Sequence, residues 1–412
     1  MNLLFLTMSR ISGISNRGIY TDLMRKFRDE GHDVYIVTPH ERSIKRPTEL
    51  EAVDGVHVLG VKTLNLQKTN VIEKGVGQVL VENQYRRAIK KYLKGVMFDL
   101  VLYSTPPITF PNVINYLKKH NPGVRTYLLL KDIFPQNAVD IGIMSKTGVK
   151  GVLYKYFRKK EKHLYSLSDY IGCMSPANVE YVLVHNSELS PDKVEEAPNS
   201  IELPVALLLD ENELELKSKN ERLGIRSKYG LPTDRPIFIY GGNLGKPQGI
   251  PFLIKCLEAN ANRKDCFFVV VGSGTERQKL EKWYNEKAPE SVKVLEKLPK
   301  EDYDLLAGSC DVGLIFLDHR FTIPNYPSRL LPYLENKMPI IAATDSNCDT
   351  GKLAEANGYG YWCESNSVEA FTATVDKMIT SDLKVMGEKG YRFLCDNYLV
   401  QNTYDAIIKH FK

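Results

Sequence analysis

The chain has 412 residues, 43% of them hydrophobic and 25% charged, which excludes a disordered or fibrous protein. That length exceeds one ordinary core, and two domains of about 200 residues each are expected. The net charge of +5 is uneven: residues 1–200 carry 28 Lys and Arg against 20 Asp and Glu, whereas residues 201–412 carry 27 against 30. The basic first half points to phosphates, an anionic membrane surface or nucleic acid, or to no more than a solvated basic face.

Seven scattered cysteines without a C-x-x-C fit reduced thiols in a cytoplasm. Eight dispersed histidines and no Cys/His cluster at zinc spacing argue against a protein metal site. The apolar start M-N-L-L-F-L-T lacks the basic region of a signal peptide, and no run is long enough to span a membrane. The expected location is the cytoplasm, with peripheral contact at the inner face of the plasma membrane.

In chain order, short apolar runs alternate with amphipathic ones, the pattern of βα units and parallel sheets. Strands are predicted at Asn2–Thr7, Val34–Thr38, Val56–Val61, Leu100–Ser104, Thr126–Leu130, Tyr170–Met174 and Val194–Asn199, with a first helix over Ile19–Glu30. Glu202–Lys228 is polar and reads as a crossing between domains. A second series follows, with strands at Ile237–Tyr240, Phe267–Val271, Lys293–Leu295, Gly313–Phe316, Ile340–Ala343 and Gly360–Cys363. A last helix, Ser381–Phe411, is long enough to break near Gly387–Gly390 and to pack back on the first domain. The expected divisions are 1–201, 202–228, 229–385 and 386–412. Two doubly wound α/β domains would bind ligands at the carboxyl ends of their strands.

Three loops of the second half join a strand to a helix. Gly241-Gly242-Asn243-Leu244-Gly245-Lys246-Pro247-Gln248-Gly249 is either a phosphate cradle, with Lys246 adding charge, or an ordinary glycine-rich turn. Gly272-Ser273-Gly274 lacks the third glycine of a dinucleotide fingerprint. In Pro324-Asn325-Tyr326-Pro327-Ser328-Arg329-Leu330, Ser328 reads as an N-cap, and Arg329 opposes the helix dipole unless an anion sits there. In the first half, Gly13, Ser15, Asn16, Arg17 and Gly18 form a small-residue loop after the first strand, with Arg17 directed to the ligand side. Asp132, just past the Thr126–Leu130 strand, either orients or deprotonates a hydroxyl or caps its own loop.

The order of these pieces resembles family 4 of the retaining glycosyltransferases, which have the GT-B fold. The resemblance is carried over nearly the whole chain by Gly31-His32-Asp33-Val34, Asp132-Ile133-Phe134-Pro135, Met174-Ser175, Pro198-Asn199-Ser200-Ile201-Glu202, the three loops and Pro339-Ile340-Ile341-Ala342. D-I-F-P and Y-P-S-R-L-L-P-Y-L are most similar to the branch acting on bacterial surface polysaccharides, fucosamine and N-acetylhexosamine transferases. The resemblance implies a nucleotide-sugar donor, taken as uridine-linked, on the second domain and a saccharide or polyprenyl-diphosphate-linked acceptor on the first. It implies retention, no metal and no cofactor, with Lys246 and Arg329 neutralising the leaving diphosphate. Gly272–Gly274 would lie by the base, and the Ser328–Leu330 amides by phosphate or ribose.

There are departures. The family's Arg and Lys of the first loop align with Asn243 and Gln248, and its two glutamates with Pro324 and Pro332. Asp302-Tyr303-Asp304 reads as a chance triplet in a helix. The basic, aromatic-interleaved stretches 86–94 and 151–162 are either membrane-facing or ordinary amphipathic helices; no nucleic-acid module is recognised. Two alternative readings remain open, a nucleotide-sugar epimerase and a non-catalytic partner of a transferase.

Overall fold

A computed structural model describes residues 1–66, 71–203 and 211–411. The chain divides into two compact units, Met1–Glu202 with Leu399–Lys412, and Leu203–Tyr398.

The first unit holds eight strands: β1 (Asn2–Leu6), β2 (Asp33–Glu41), β3 (Glu49–Val53), β4 (Val56–Thr63), β5 (Leu100–Ser104), β6 (Arg125–Leu130), β7 (Tyr170–Cys173) and β8 (Val194–Glu196). They lie in the order β3-β4-β2-β1-β5-β6-β7-β8, parallel except for the β3–β4 pair. The central strands are apolar throughout because helices cover both faces of a parallel sheet; Leu3 to Leu6 and Leu100 to Tyr103 are wholly buried. The antiparallel edge strand β3 was not expected. Its residues are partly buried or exposed, so no apolar run announces it, but Asp54 and Gly55 both take positive φ (51° and 76°) in a two-residue hairpin turn.

The second unit holds β9 (Ile237–Asn243), β10 (Phe267–Ser273), β11 (Val292–Leu295), β12 (Val312–Phe316), β13 (Ile340–Thr344) and β14 (Gly360–Glu364). All are parallel, in the order β11-β10-β9-β12-β13-β14. That is the doubly wound arrangement with its switch point between β9 and β12. The corresponding point of the first unit lies between β1 and β5.

Two boundaries differ from expectation. In the crossing 202–228, residues 204–210 lie outside the described residues, and the helix Glu211–Lys228 is fastened to the second unit. Arg226 donates to the Ser309 carbonyl (2.7 Å) and to Asp311 (2.6 Å), which also pairs with Arg222 (2.8 Å). The final segment breaks at Tyr398-Leu399, between helices Leu383–Asn397 and Val400–Ile408, not at Gly387–Gly390. Those glycines sit inside a helix because it packs closely there: a Cβ on Gly387 would overlap the carbonyl oxygen of Lys337. From Leu399 the chain joins the first unit. Val400 N–H donates to the Ile201 carbonyl (2.9 Å), and Tyr404 packs edge-on against Phe27 at 4.9 Å.

Candidate functional site

In the second unit, the loops after β9 and β12 meet at the switch point. Arg329 lies at the N-cap position of the helix Leu330–Glu335, so Ser328 is not the cap; it is exposed in the loop. The guanidinium of Arg329 lies 4.4 Å from the ring centroid of Tyr240, a cation–π contact, with Tyr303 and Tyr333 also close. No carboxylate among the described residues pairs with it, and its buried Nη1 makes no hydrogen bond. Burial disfavours the charge, while the surrounding tyrosines favour it. Tyr333 is itself fixed, accepting from Gly241 N–H (3.2 Å) and donating to the Ile239 carbonyl (3.2 Å).

Gly242 lies directly against this cation. A Cβ there would meet nothing but the Arg329 guanidinium, at 3.6 Å, so the backbone leaves the charge open to an approaching group. Gly272 and Gly274 have a different reason to be glycine: a Cβ would overlap the Gly242 carbonyl oxygen and the Leu244 backbone, respectively. They let the β9 and β10 loops touch, with Leu244 N–H donating to the Ser273 carbonyl (3.0 Å) and Ser273 itself exposed. Asn243 is turned into its own loop, donating to Gln248 Oε1 (2.9 Å), which also accepts from Gly245 N–H (3.2 Å). Lys246 is exposed and has no ion pair among the described residues. Leu330 is buried and its N–H is taken by the Pro327 carbonyl (3.1 Å), so that amide is not free for a ligand. Asp302 and Asp304 are paired with Lys228 (3.1 Å) and Lys300 (2.6 Å).

In the first unit, the loop after β1 is filled by the protein itself. Ile14 and Ser15 N–H both donate to one carboxylate oxygen of Asp54 (2.8 and 3.0 Å), and a Cβ on Gly13 would strike that oxygen. The Ser15 side chain and these amides hold the Asp54 carboxyl below its usual range. Arg17 donates to the Glu202 carbonyl (2.5 Å), the Asn16 carbonyl accepts from Arg25 (3.4 Å), and Gly18 N–H goes to Asp22 (2.9 Å). These donors are therefore spent within the first unit, on Asp54 of the β3–β4 turn, on Asp22 of the following helix and on Glu202. A signal existed in the Asp-Gly dipeptide, but not one local to the loop.

Asp132 follows β6, next to the loop after β5, and is linked to it through Thr105: Asp132 N–H donates to Thr105 Oγ1 (3.2 Å). Its carboxylate accepts from Asn137 Nδ2 (2.6 Å) and from the Ile133 backbone N–H, and burial pushes its pKa up to about 6 against those bonds. The neighbouring Lys131, which the sequence did not single out, donates to the Ala197 carbonyl (3.0 Å), and burial lowers its pKa to about 7. Asp132 is not the N-cap of the next helix, Gln136–Asp140. Adjacent groups with displaced pKa values are characteristic of functional sites.

Two α/β units of largely parallel strands, the second with a half-buried cation at its switch point, define the class of protein: the fold is the GT-B fold of glycosyltransferases. HepE of Anabaena in complex with UDP superposes with a TM-score of 0.67 at 13% identity, covering 100% of this chain and 99% of that one. Residues 221–393 match the family model Glycosyl transferases group 1. The chain is similar to a probable glycosyltransferase, WbjE, of Pseudomonas aeruginosa, 23% identical over 80% of this chain and 78% of the relative. It is also similar to a putative colanic acid biosynthesis glycosyl transferase, WcaI, of Escherichia coli K12, 24% identical over 37% of each chain.

Proposed function

We propose that this chain is a glycosyltransferase that moves a sugar, with retention and without a metal ion, from a uridine diphosphate sugar to a saccharide or polyprenyl-diphosphate-linked saccharide acceptor. The pathway would be assembly of a surface polysaccharide, capsule or O-antigen. The observation that carries this reading is Arg329, a half-buried cation with no carboxylate partner among the described residues, left uncovered on one side by Gly242. Sugar transfer builds charge on the departing diphosphate, and a positive group fixed beforehand in a desolvated setting stabilises it most. Lys246, exposed and without an ion pair among the described residues, would close on the same group. Asp132, ionised above about pH 6, would accept the proton of the acceptor hydroxyl on the first unit. The resemblance to a UDP-bound fold and to a colanic acid relative supports this choice of donor and pathway.

Peripheral attachment to an anionic leaflet belongs to the same proposal. On helix Gly148–Leu167, Val149, Val152, Leu153 and Tyr156 repeat at the spacing of one helical stripe and are 90, 70, 48 and 47% exposed. Lys150, Lys155 and Lys159 lie beside them on the same helix. An apolar stripe flanked by lysines suits an interfacial helix.

The test is transfer from a panel of UDP-sugars to lipid-linked saccharides. Acceptor-dependent release of UDP, lost in Arg329→Ala, is the expected result. Turnover of the sugar nucleotide without acceptor would favour an epimerase, and binding without any transfer a non-catalytic partner.

A further inference from the structure

Lys131 and Asp132 leave the end of β6 side by side, but their side chains go different ways. The Asp132 backbone is tied to Thr105 beyond β5, and its carboxylate accepts from Asn137. Lys131 runs in the opposite direction across the sheet, past β7, to the Ala197 carbonyl just beyond β8 (3.0 Å). Ala197 is itself pinned beside the end of β7, its N–H donating to the Cys173 carbonyl (2.8 Å). The ammonium therefore lies over the carboxyl ends of β7 and β8, the edge at which open α/β sheets take their ligands. The titratable group that acts on Lys131 is Cys173, whereas the charge that acts on Asp132 is Glu161, in keeping with this divergence.

The ammonium has no counter-charge. Among the described residues no carboxylate forms an ion pair with Lys131. Burial pushes the Cys173 thiol well up, so it stays protonated and neutral. Glu195 and Glu196 of β8 also face Cys173, but Glu195 is engaged by Tyr127 (2.8 Å), Lys409 (2.7 Å) and His410 (2.8 Å). An ammonium has three donors, and Lys131 gives one of them to Ala197. The residue is half-buried, so the side chain still reaches solvent, yet burial is the main cause that lowers its pKa. Together these describe the floor of a recess, where an uncompensated cation is costly and an incoming anion offsets that cost.

We propose that Lys131 binds a carboxylate or phosphate carried by the acceptor sugar, so that the acceptor is an anionic saccharide. This rests on the reading that places the acceptor on the first unit with its reacting hydroxyl at Asp132. Lys131 then selects the acceptor, holding its anion on the β8 side while the hydroxyl meets Asp132 on the β5 side.

The experiment is calorimetric titration of the full chain with methyl glucuronide, glucose 1-phosphate, neutral methyl glucoside and inorganic phosphate. UDP is titrated into the same samples. At least one anionic sugar should bind at least tenfold tighter than both the neutral glucoside and inorganic phosphate; the glucuronide marks a uronate acceptor, the sugar phosphate a phosphorylated one. Both ligands keep their charge above pH 7, and Asp132 is ionised there, so Lys131 is left as the group that titrates. With its pKa near 7, moving from pH 7 to 8.5 should weaken the anionic sugar about fifteenfold. Lys131→Arg, which keeps the charge at all these pH values, should bind with no such fall, and Lys131→Met should bind the anionic sugar no better than the neutral one. Arg329→Ala should leave the preference intact. No binding of either anionic sugar, equal binding of the neutral glucoside or of inorganic phosphate, an affinity constant from pH 7 to 8.5 in the wild type, or a preference surviving in Lys131→Met would each overturn the proposal. Retained UDP binding beside any of these results overturns this proposal alone, whereas absent UDP binding overturns the donor reading.

Discussion

Replacing Asp132 by Asn separates a carboxylate kept for chemistry from one kept for structure. The carboxyl titrates near 6 in the fold against an ordinary 3.8, and burial is the main cause. Its folded-state pKa is raised, so the native protein holds this proton more tightly than the unfolded chain does. Below about pH 4 both states are protonated and the group is neutral to stability. As pH climbs through the interval from about 4 to 6 the native state loses ground. Above it, the full penalty of about 3 kcal/mol remains. An asparagine amide at this position cannot ionise, keeps an acceptor for Asn137 Nδ2, and nearly preserves the shape. Asp132→Asn should therefore match the wild type near pH 4 and exceed it by up to about 3 kcal/mol at pH 7.5, or about 6–12 °C in melting temperature. Thermal unfolding of both proteins across that range is the assay, with transfer activity measured on the same samples. Higher stability with activity lost is the expected pair of results. A variant less stable than wild type at pH 7.5, or a difference that does not change with pH, would refute the reasoning and make the charge a structural need of its loop.

Further outcomes follow from other contacts. Arg329→Met removes a half-buried charge without a carboxylate partner among the described residues, so the ligand-free protein should keep or gain stability while UDP no longer raises its melting temperature; a marked loss of stability would make Arg329 a structural residue. Gly272→Ala should stop the second unit from folding, or cost more than about 3 kcal/mol, because its Cβ overlaps the Gly242 carbonyl; a well-folded variant by circular dichroism would contradict that close approach. Tyr404→Ala breaks the packing on Phe27 and the bond to His32 (3.0 Å), and should cost about 3 kcal/mol in urea unfolding of the first unit; a cost under about 1 kcal/mol would show that the returning helix contributes little. Val152→Asp should abolish sedimentation with vesicles containing phosphatidylglycerol, and unchanged sedimentation would remove the stripe from the membrane.

The succession of strands was readable because a parallel strand covered on both faces must be apolar along its length, as Leu3–Leu6 and Phe267–Val271 are. What escaped was whatever depends on contacts distant in sequence. Strand β3 is an exposed edge, so its pattern carries no apolar signature. Gly387 and Gly390 looked like breakers, yet they serve close helix packing against Lys337 and Leu334. In the candidate site, Arg329 was legible from its conflict with the helix dipole. Its tyrosine surround was not, because Tyr240, Tyr303 and Tyr333 come from three elements that only the sheet order brings together. The loop Gly13–Gly18 had the composition of an anion cradle, but Asp54, about forty residues away, supplies the anion from within the chain.

The most direct measurement of the central claim is calorimetric titration of the intact chain and of Arg329→Ala with UDP. The account predicts a single site in the wild type, weakened at least a hundredfold in the variant. No binding of UDP by the wild type, or equal affinity in both proteins, would contradict it.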